Sequence, residues 1–126
     1  MRKPKPAPLV VRRVRGMGRG VFAGRPFRAG ELLEVCPVLV LPAGTPPTAL
    51  GRLDAYVFKW ADDALAIALG YGSLYNHSTD PNAVFSYRFG RDEVVFRAVR
   101  GVAAGEQIFI DYGWAATDYD AFRKAG

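Results

Sequence analysis

No apolar run in this chain is long, and each is cut short by glycine, proline or a cluster of small polar residues; the longest, such as Val38 to Leu41, are strand-sized. Such punctuation predicts many short strands joined by tight turns, with little helix and no segment able to span a bilayer. Leu9 to Val14 reads as a first strand of β-branched and basic residues, broken by Gly16-Met17-Gly18-Arg19-Gly20. Three glycines in five residues permit a tight hairpin or a close approach of backbone to a ligand. No helix pattern follows them, so a phosphate- or dinucleotide-binding loop is not indicated. Further strands are expected over residues 21–23, over 32–41 with an interruption at Pro37, and over 65–69. Between the last two, Tyr56, Phe58 and Trp60 alternate at period two at the end of an aromatic-rich stretch. Residues 83–89 and 93–99 flank Gly90-Arg91-Asp92 and read as a hairpin. A last strand runs over 107–112, and a short helix over 117–124 would place Tyr119 and Phe122 on one face.

Two stretches resist explanation as core. Tyr71 to Tyr87, YGSLYNHSTDPNAVFSY, carries the only histidine of the chain, His77, in a polar turn between Asn76 and Ser78. Gly105 to Gly113, GEQIFIDYG, is a Gly-Glu corner, an alternating strand and an Asp-Tyr-Gly stop, so a phenol stands where a strand runs out.

At 126 residues, half of them apolar, the chain suffices for one domain with one core. The single cysteine, Cys36, excludes an internal disulfide and a cysteine-rich zinc cluster. A net charge of +5, from 17 basic and 12 acidic residues, is compatible with nucleic acid, an acidic partner, or solubility alone. Part of that charge lies in residues 1–8, MRKPKPAP, whose prolines predict a flexible basic tail. Prolines and arginines, with no apolar signal core, follow the basic start, and an intracellular protein is the expectation.

Gly18-Arg19-Gly20-Val21-Phe22, then Arg28-Ala29-Gly30-Glu31, then Asn76-His77-Ser78 with Pro81-Asn82, then Gly105-Glu106 and Asp111-Tyr112-Gly113 stand in the order and spacing of the SET domain. The chain thus resembles the SET-domain protein-lysine methyltransferases over residues 9–114, leaving 115–126 as a short C-terminal segment. The resemblance implies a mainly β fold of several small sheets, a β-clip, whose C-terminal segment threads under a loop as a pseudoknot. That topology is among the few exceptions to unthreaded connections, and it would set Tyr112 beside Asn76.

It further implies transfer of a methyl group from S-adenosyl-L-methionine to a protein lysine, leaving S-adenosyl-L-homocysteine, with no metal. A free lysine with pKa near 10.4 is almost wholly protonated at neutral pH, and neutralising it costs roughly 4 kcal/mol three units below that value. A narrow aromatic channel lowers the amine pKa by desolvation, and alignment supplies several kcal/mol more. By resemblance, Tyr112 is the catalytic phenol where cofactor and lysine meet. Gly18, Arg19, Gly20, Asn76, His77, Tyr112 and Trp114 would bind the cofactor, and Phe85, Tyr87 and Tyr112 would line the lysine channel. Phe85 occupies a position where a tyrosine hydroxyl can anchor a water in the space that added methyls need. Phenylalanine there implies di- or trimethylation, although Phe85 equally fits an ordinary core position.

Three departures bear on the pocket. Cys36 stands where the family often has a channel tyrosine, and Ser73 stands where many members have an arginine. The zinc-binding cysteines that follow the domain in histone-type enzymes are absent, so Trp114, Tyr119, Phe122 or a second subunit in a homodimer would close the pocket. The substrate is expected to be a lysine-bearing protein, with no role for a membrane. Two other classes remain to be told apart: a non-catalytic module on the same fold that binds peptide or cofactor, and a basic nucleic-acid-binding β-domain. The intact Asn76, His77 and Tyr112 disfavour the first. The lack of a basic stripe alternating with aromatics disfavours the second.

Overall fold

The computed structural model describes residues 7–61 and 64–113. Residues 1–6 of the expected tail, Trp114 and the expected helix with Tyr119 and Phe122 lie outside them. Nine strands follow in order: β1 (Leu9–Val14), β2 (Gly18–Ala23), β3 (Leu32–Val40), β4 (Val57–Lys59), β5 (Leu65–Ala68), β6 (Asn76–His77), β7 (Ala83–Arg88), β8 (Glu93–Ala98) and β9 (Gln107–Ile110). They form a four-stranded sheet, β1-β2-β9-β6, and a five-stranded sheet, β4-β5-β3-β8-β7. The helical segments among the described residues are short 3₁₀ turns, chief among them Gly51–Tyr56 and Gly72–Leu74. No helix there is long and apolar enough to cross a membrane.

Local sequence explains most of these elements. β7 and β8 pair in register from Ala83↔Ala98 to Arg88↔Glu93. Asp92 closes the intervening turn at φ 50°, a left-handed conformation that Asp tolerates better than most side chains. The glycine-rich break after β1 is a hairpin, β1 pairing with β2 from Leu9↔Ala23 to Val14↔Gly18. β9 alternates as its sequence requires, with Ile108 and Ile110 fully buried and Gln107 and Phe109 only partly so.

Two elements depart from expectation. β3 is not interrupted at Pro37. Its pairing passes from β8, which it contacts through Pro37, to β5, which it contacts from Val38, so the proline falls at the changeover, where its missing N–H is tolerated. The Pro37 carbonyl is still used, accepting a hydrogen bond from Leu69 N at 2.8 Å. Asn76 and His77, in a stretch that reads as a polar turn, form the two-residue strand β6, parallel to β9 with Asn76↔Phe109 and His77↔Ile110. β9 is thereby inserted between β2, to which it is antiparallel, and β6. The chain's last described strand is tucked between two earlier ones, and one core of side chains from both sheets seals it: Val21, Ile108 and Ile110 beside Phe85, Val94 and Phe96.

Candidate active site

The insertion of β9 decides where Tyr112 lies. Its backbone N–H donates to His77 Nδ1 at 3.0 Å and its hydroxyl donates to the Tyr75 carbonyl at 2.6 Å, so the residue is fixed at both ends to the segment that carries β6. Nδ1 of His77 accepts this bond, so in a neutral ring the proton belongs on Nε2, and Asp111 Oδ1 lies 3.8 Å from the same nitrogen. Tyr112 is half-exposed at the cavity mouth, and the partial burial of its phenol, with Tyr56 second, holds it above the usual tyrosine pKa. The hydroxyl is therefore a neutral donor through the physiological range and no base.

Asn76 faces the β1–β2 hairpin. Its Nδ2 donates to the Arg19 carbonyl at 3.0 Å and to Gln107 Oε1 at 2.8 Å. Both amide protons are spent inside the protein, so the group that Asn76 has left to offer is an acceptor. This approach depends on Gly20: a Cβ there would come within 2.5 Å of Gln107 Oε1 and 2.8 Å of Asn76 Nδ2. Gly18, two residues earlier, has φ 76°. Arg19 enters through its carbonyl, with its side chain exposed. Gly20→Ala is expected to cost about 1 kcal/mol of stability, since two flexible side-chain ends can move aside. In moving they would lose the bond that orients Asn76. If the chain binds S-adenosylmethionine as the resemblance implies, calorimetry should then show at least a tenfold loss of affinity for it, with a melting temperature lowered by only about 3–5 °C.

Beside Tyr112 opens a cavity of about 600 Å³ with six aromatic side chains in its wall: Tyr56, Phe58, Tyr75, Phe85, Tyr87 and Tyr112. Phe85 is 1% exposed and meets Phe58 edge to face at 5.3 Å and Tyr87 at 5.6 Å. Phe85 and Tyr87 lie two apart on β7 and so share a face, as the sequence suggests.

Tyr56, Phe58 and Tyr75 are wall residues that the motifs do not name. The period-two aromatics at 56–60 are the available signal, but only Phe58 lies in a strand, β4, while Tyr56 ends the preceding 3₁₀ turn. They also answer the departures noted in the sequence. Cys36 is fully buried and does not line the cavity; it packs under Gly72, where a Cβ would lie 3.0 Å from its sulfur. Ser73, in place of arginine, accepts from Ala68 N at 3.2 Å and donates to the Tyr56 carbonyl at 2.9 Å, securing the turn that presents Tyr56.

A two-sheet β fold with its last described strand inserted beside an Asn-His pair, and a phenol at the mouth of an aromatic cavity, defines a recognisable class. Residues 18–113 match the SET domain family. The chain is 30% identical over 110 residues, 85% of its length and 74% of the relative's, to a Schizosaccharomyces pombe histone-lysine N-methyltransferase specific for H3 lysine-37. It is 29% identical over 123 residues to the Danio rerio N-lysine methyltransferase KMT5A-A, of which it spans 35%. Its fold superimposes with a TM-score of 0.71 on a Plasmodium falciparum protein assigned as a histone methyltransferase, at 24% identity, covering 91% of this chain and 99% of that one. The SET8 protein of Cryptosporidium gives a TM-score of 0.65 at 22% identity, covering 85% and 58%. The chain belongs to the SET-domain family.

Proposed function

We propose that this protein is a protein-lysine N-methyltransferase that uses S-adenosylmethionine. The observation that carries the reading is the position of Tyr112, bonded to the His77 ring through its backbone and facing the aromatic cavity with its ring. When bound, the cofactor supplies an electrophilic methyl group on a sulfonium and departs as S-adenosylhomocysteine. Asn76 and the Gly18-Arg19-Gly20 backbone would hold its amino-acid end, the Asn76 acceptor suiting an ammonium group.

The chain's own residues account for the rest. A lysine side chain is long, thin and apolar up to its amine, and a cavity walled by aromatic rings accepts that stem while stripping water from the amine. Desolvation disfavours the ammonium form and lowers its pKa, so the proton is lost to solvent and the lone pair is freed. The Tyr112 hydroxyl, fixed as a neutral dipole by the Tyr75 carbonyl, orients the reacting amine and takes no proton from it. With the cofactor bound, the freed lone pair would face its methyl group, and what the chain's residues contribute is that alignment. Alignment of this kind supplies several kcal/mol of catalysis.

The test is a calorimetric titration with S-adenosylmethionine, followed by mass spectrometry of cell-extract proteins and histones incubated with labelled cofactor. Binding with a labelled lysine supports the assignment, and absence of binding overturns it.

The wall beside Phe85 bears on the number of methyl groups added. Phe85 presents no polar atom, so nothing at that position retains a water in the space that a methylated amine needs. Wild-type enzyme is expected to carry a competent peptide to the di- or trimethyl state, and Phe85→Tyr to shift the product towards monomethyl-lysine. Peptide mass spectra that stop at one methyl for both proteins would refute this role.

A further inference from the structure

We infer that Glu34 is a positioning residue for Tyr112, acting through Tyr75. The inference rests on the methyltransferase reading for its catalytic consequence, while its structural part stands separately. Glu34 lies on β3 in the run Gly30-Glu31-Leu32-Leu33-Glu34-Val35-Cys36, which contributes nothing to the cavity wall. Its two carboxylate oxygens grip both ends of one short segment: Oε2 accepts from Tyr71 N at 3.0 Å and Oε1 accepts from the Tyr75 hydroxyl at 2.8 Å. Between those two points the chain makes the 3₁₀ turn Gly72–Leu74.

The fit around the carboxylate is close. Gly70, at φ 63°, would place a Cβ within 2.6 Å of Glu34 Oε2. A Cβ on Gly72 would meet Ala68 Cβ at 2.7 Å and Cys36 Sγ at 3.0 Å. Glycine at both positions lets the backbone descend onto β3. Tyr75 itself is 1% exposed and its ring stacks on Phe96, with centroids 4.5 Å apart. Burial first, then the nearby Glu34 charge, raises the pKa of both the Tyr75 phenol and the Cys36 thiol, so both remain protonated beside the carboxylate.

Tyr75 is thus held by its hydroxyl, and its carbonyl in turn accepts the Tyr112 hydroxyl at 2.6 Å. A continuous path runs from Glu34 to the Tyr75 ring, through its backbone to the carbonyl, and on to the Tyr112 phenol. If the carboxylate is lost, the carbonyl that aims the Tyr112 hydroxyl is no longer fixed. A residue that only stabilised the fold would weaken the protein without singling out that hydroxyl.

The experiment uses Glu34→Gln and, should that variant fail to fold, Tyr75→Phe, which keeps the stacked ring and removes the hydroxyl that Glu34 holds. Protein labelled with ¹³C at tyrosine Cζ, with the Tyr112 signal identified by its loss in Tyr112→Phe, reports the phenol directly. In either variant the Tyr112 midpoint should fall below its wild-type value, because loss of a bond donated by the phenol destabilises its protonated form, while burial and Tyr56 still hold it up. In the transfer reaction, kcat should fall about tenfold with cofactor affinity changed less than about twofold. That loss should shrink to less than about twofold when Tyr112 is already phenylalanine, since the two residues act as one unit. An unchanged Tyr112 titration in these variants, or losses that multiply in the double variant, overturns the inference. If wild-type protein transfers no methyl group, the proposed function fails while the titration still decides the Glu34 linkage.

Discussion

Replacing Tyr112 with phenylalanine is expected to lower methyl transfer by about 10²–10³-fold, the loss seen when a preorganised donor is removed from a reacting centre, and to leave the affinity for S-adenosylmethionine within about threefold. The substitution deletes one atom. The backbone bond from Tyr112 N to His77 Nδ1 remains, and so does the ring in the cavity wall. What disappears is the hydroxyl fixed by the Tyr75 carbonyl, so any large change in rate belongs to that group. Radiolabel transfer under single-turnover conditions, paired with calorimetric binding, separates the two quantities. A variant with full activity would remove Tyr112 from catalysis. Proton abstraction by this phenol would require its anion, which burial disfavours. Between pH 7 and 10 the wild-type rate should therefore rise with deprotonation of the substrate ammonium, without a break due to Tyr112.

Legibility in the sequence followed the range of the forces concerned. β9 and the β7–β8 hairpin were readable because one buried face imposes period two on the residues themselves. β6 was not, because a strand of two residues has no period and its partner lies more than thirty positions away. The resemblance to the SET domain did what periodicity could not, drawing Asn76, His77 and Tyr112 to one place. It did not reach Tyr56 or Tyr75, whose orientations are set by 3₁₀ turns and by Ser73 and Glu34, residues outside the motifs. Glu34 was the least visible of all. A carboxylate in an apolar strand looks like the solvent-facing member of an alternation until the hydroxyl it accepts, 41 residues later, is folded onto it.

Asn82 illustrates the same limit and carries the largest expected effect on stability. Beside Pro81 it reads as part of a surface turn, yet it is 1% exposed. Its Oδ1 accepts from Phe109 N at 2.8 Å, and its Nδ2 donates to the Gln107 carbonyl at 2.9 Å, with a longer approach to Glu106 Oε1 at 3.4 Å. Those are the two backbone groups that a neighbouring strand would satisfy, so the side-chain amide stands in for a strand just beyond the two residues of β6. Asn82→Ala removes both partners and leaves a buried N–H and a buried carbonyl facing no water. At about 1–3 kcal/mol for each orphaned group, the expected loss is roughly 3 kcal/mol, and a melting-temperature drop of about 10 °C or more should follow. Thermal unfolding by circular dichroism checks it, and a shift below about 2 °C would show that β9 is held without this amide. Tyr112 hangs from the end of that strand, so loosening the strand should weaken catalysis at temperatures where the fold still survives. The inserted strand needs a second edge, β6 is too short to supply all of it, and the Asn82 amide completes it.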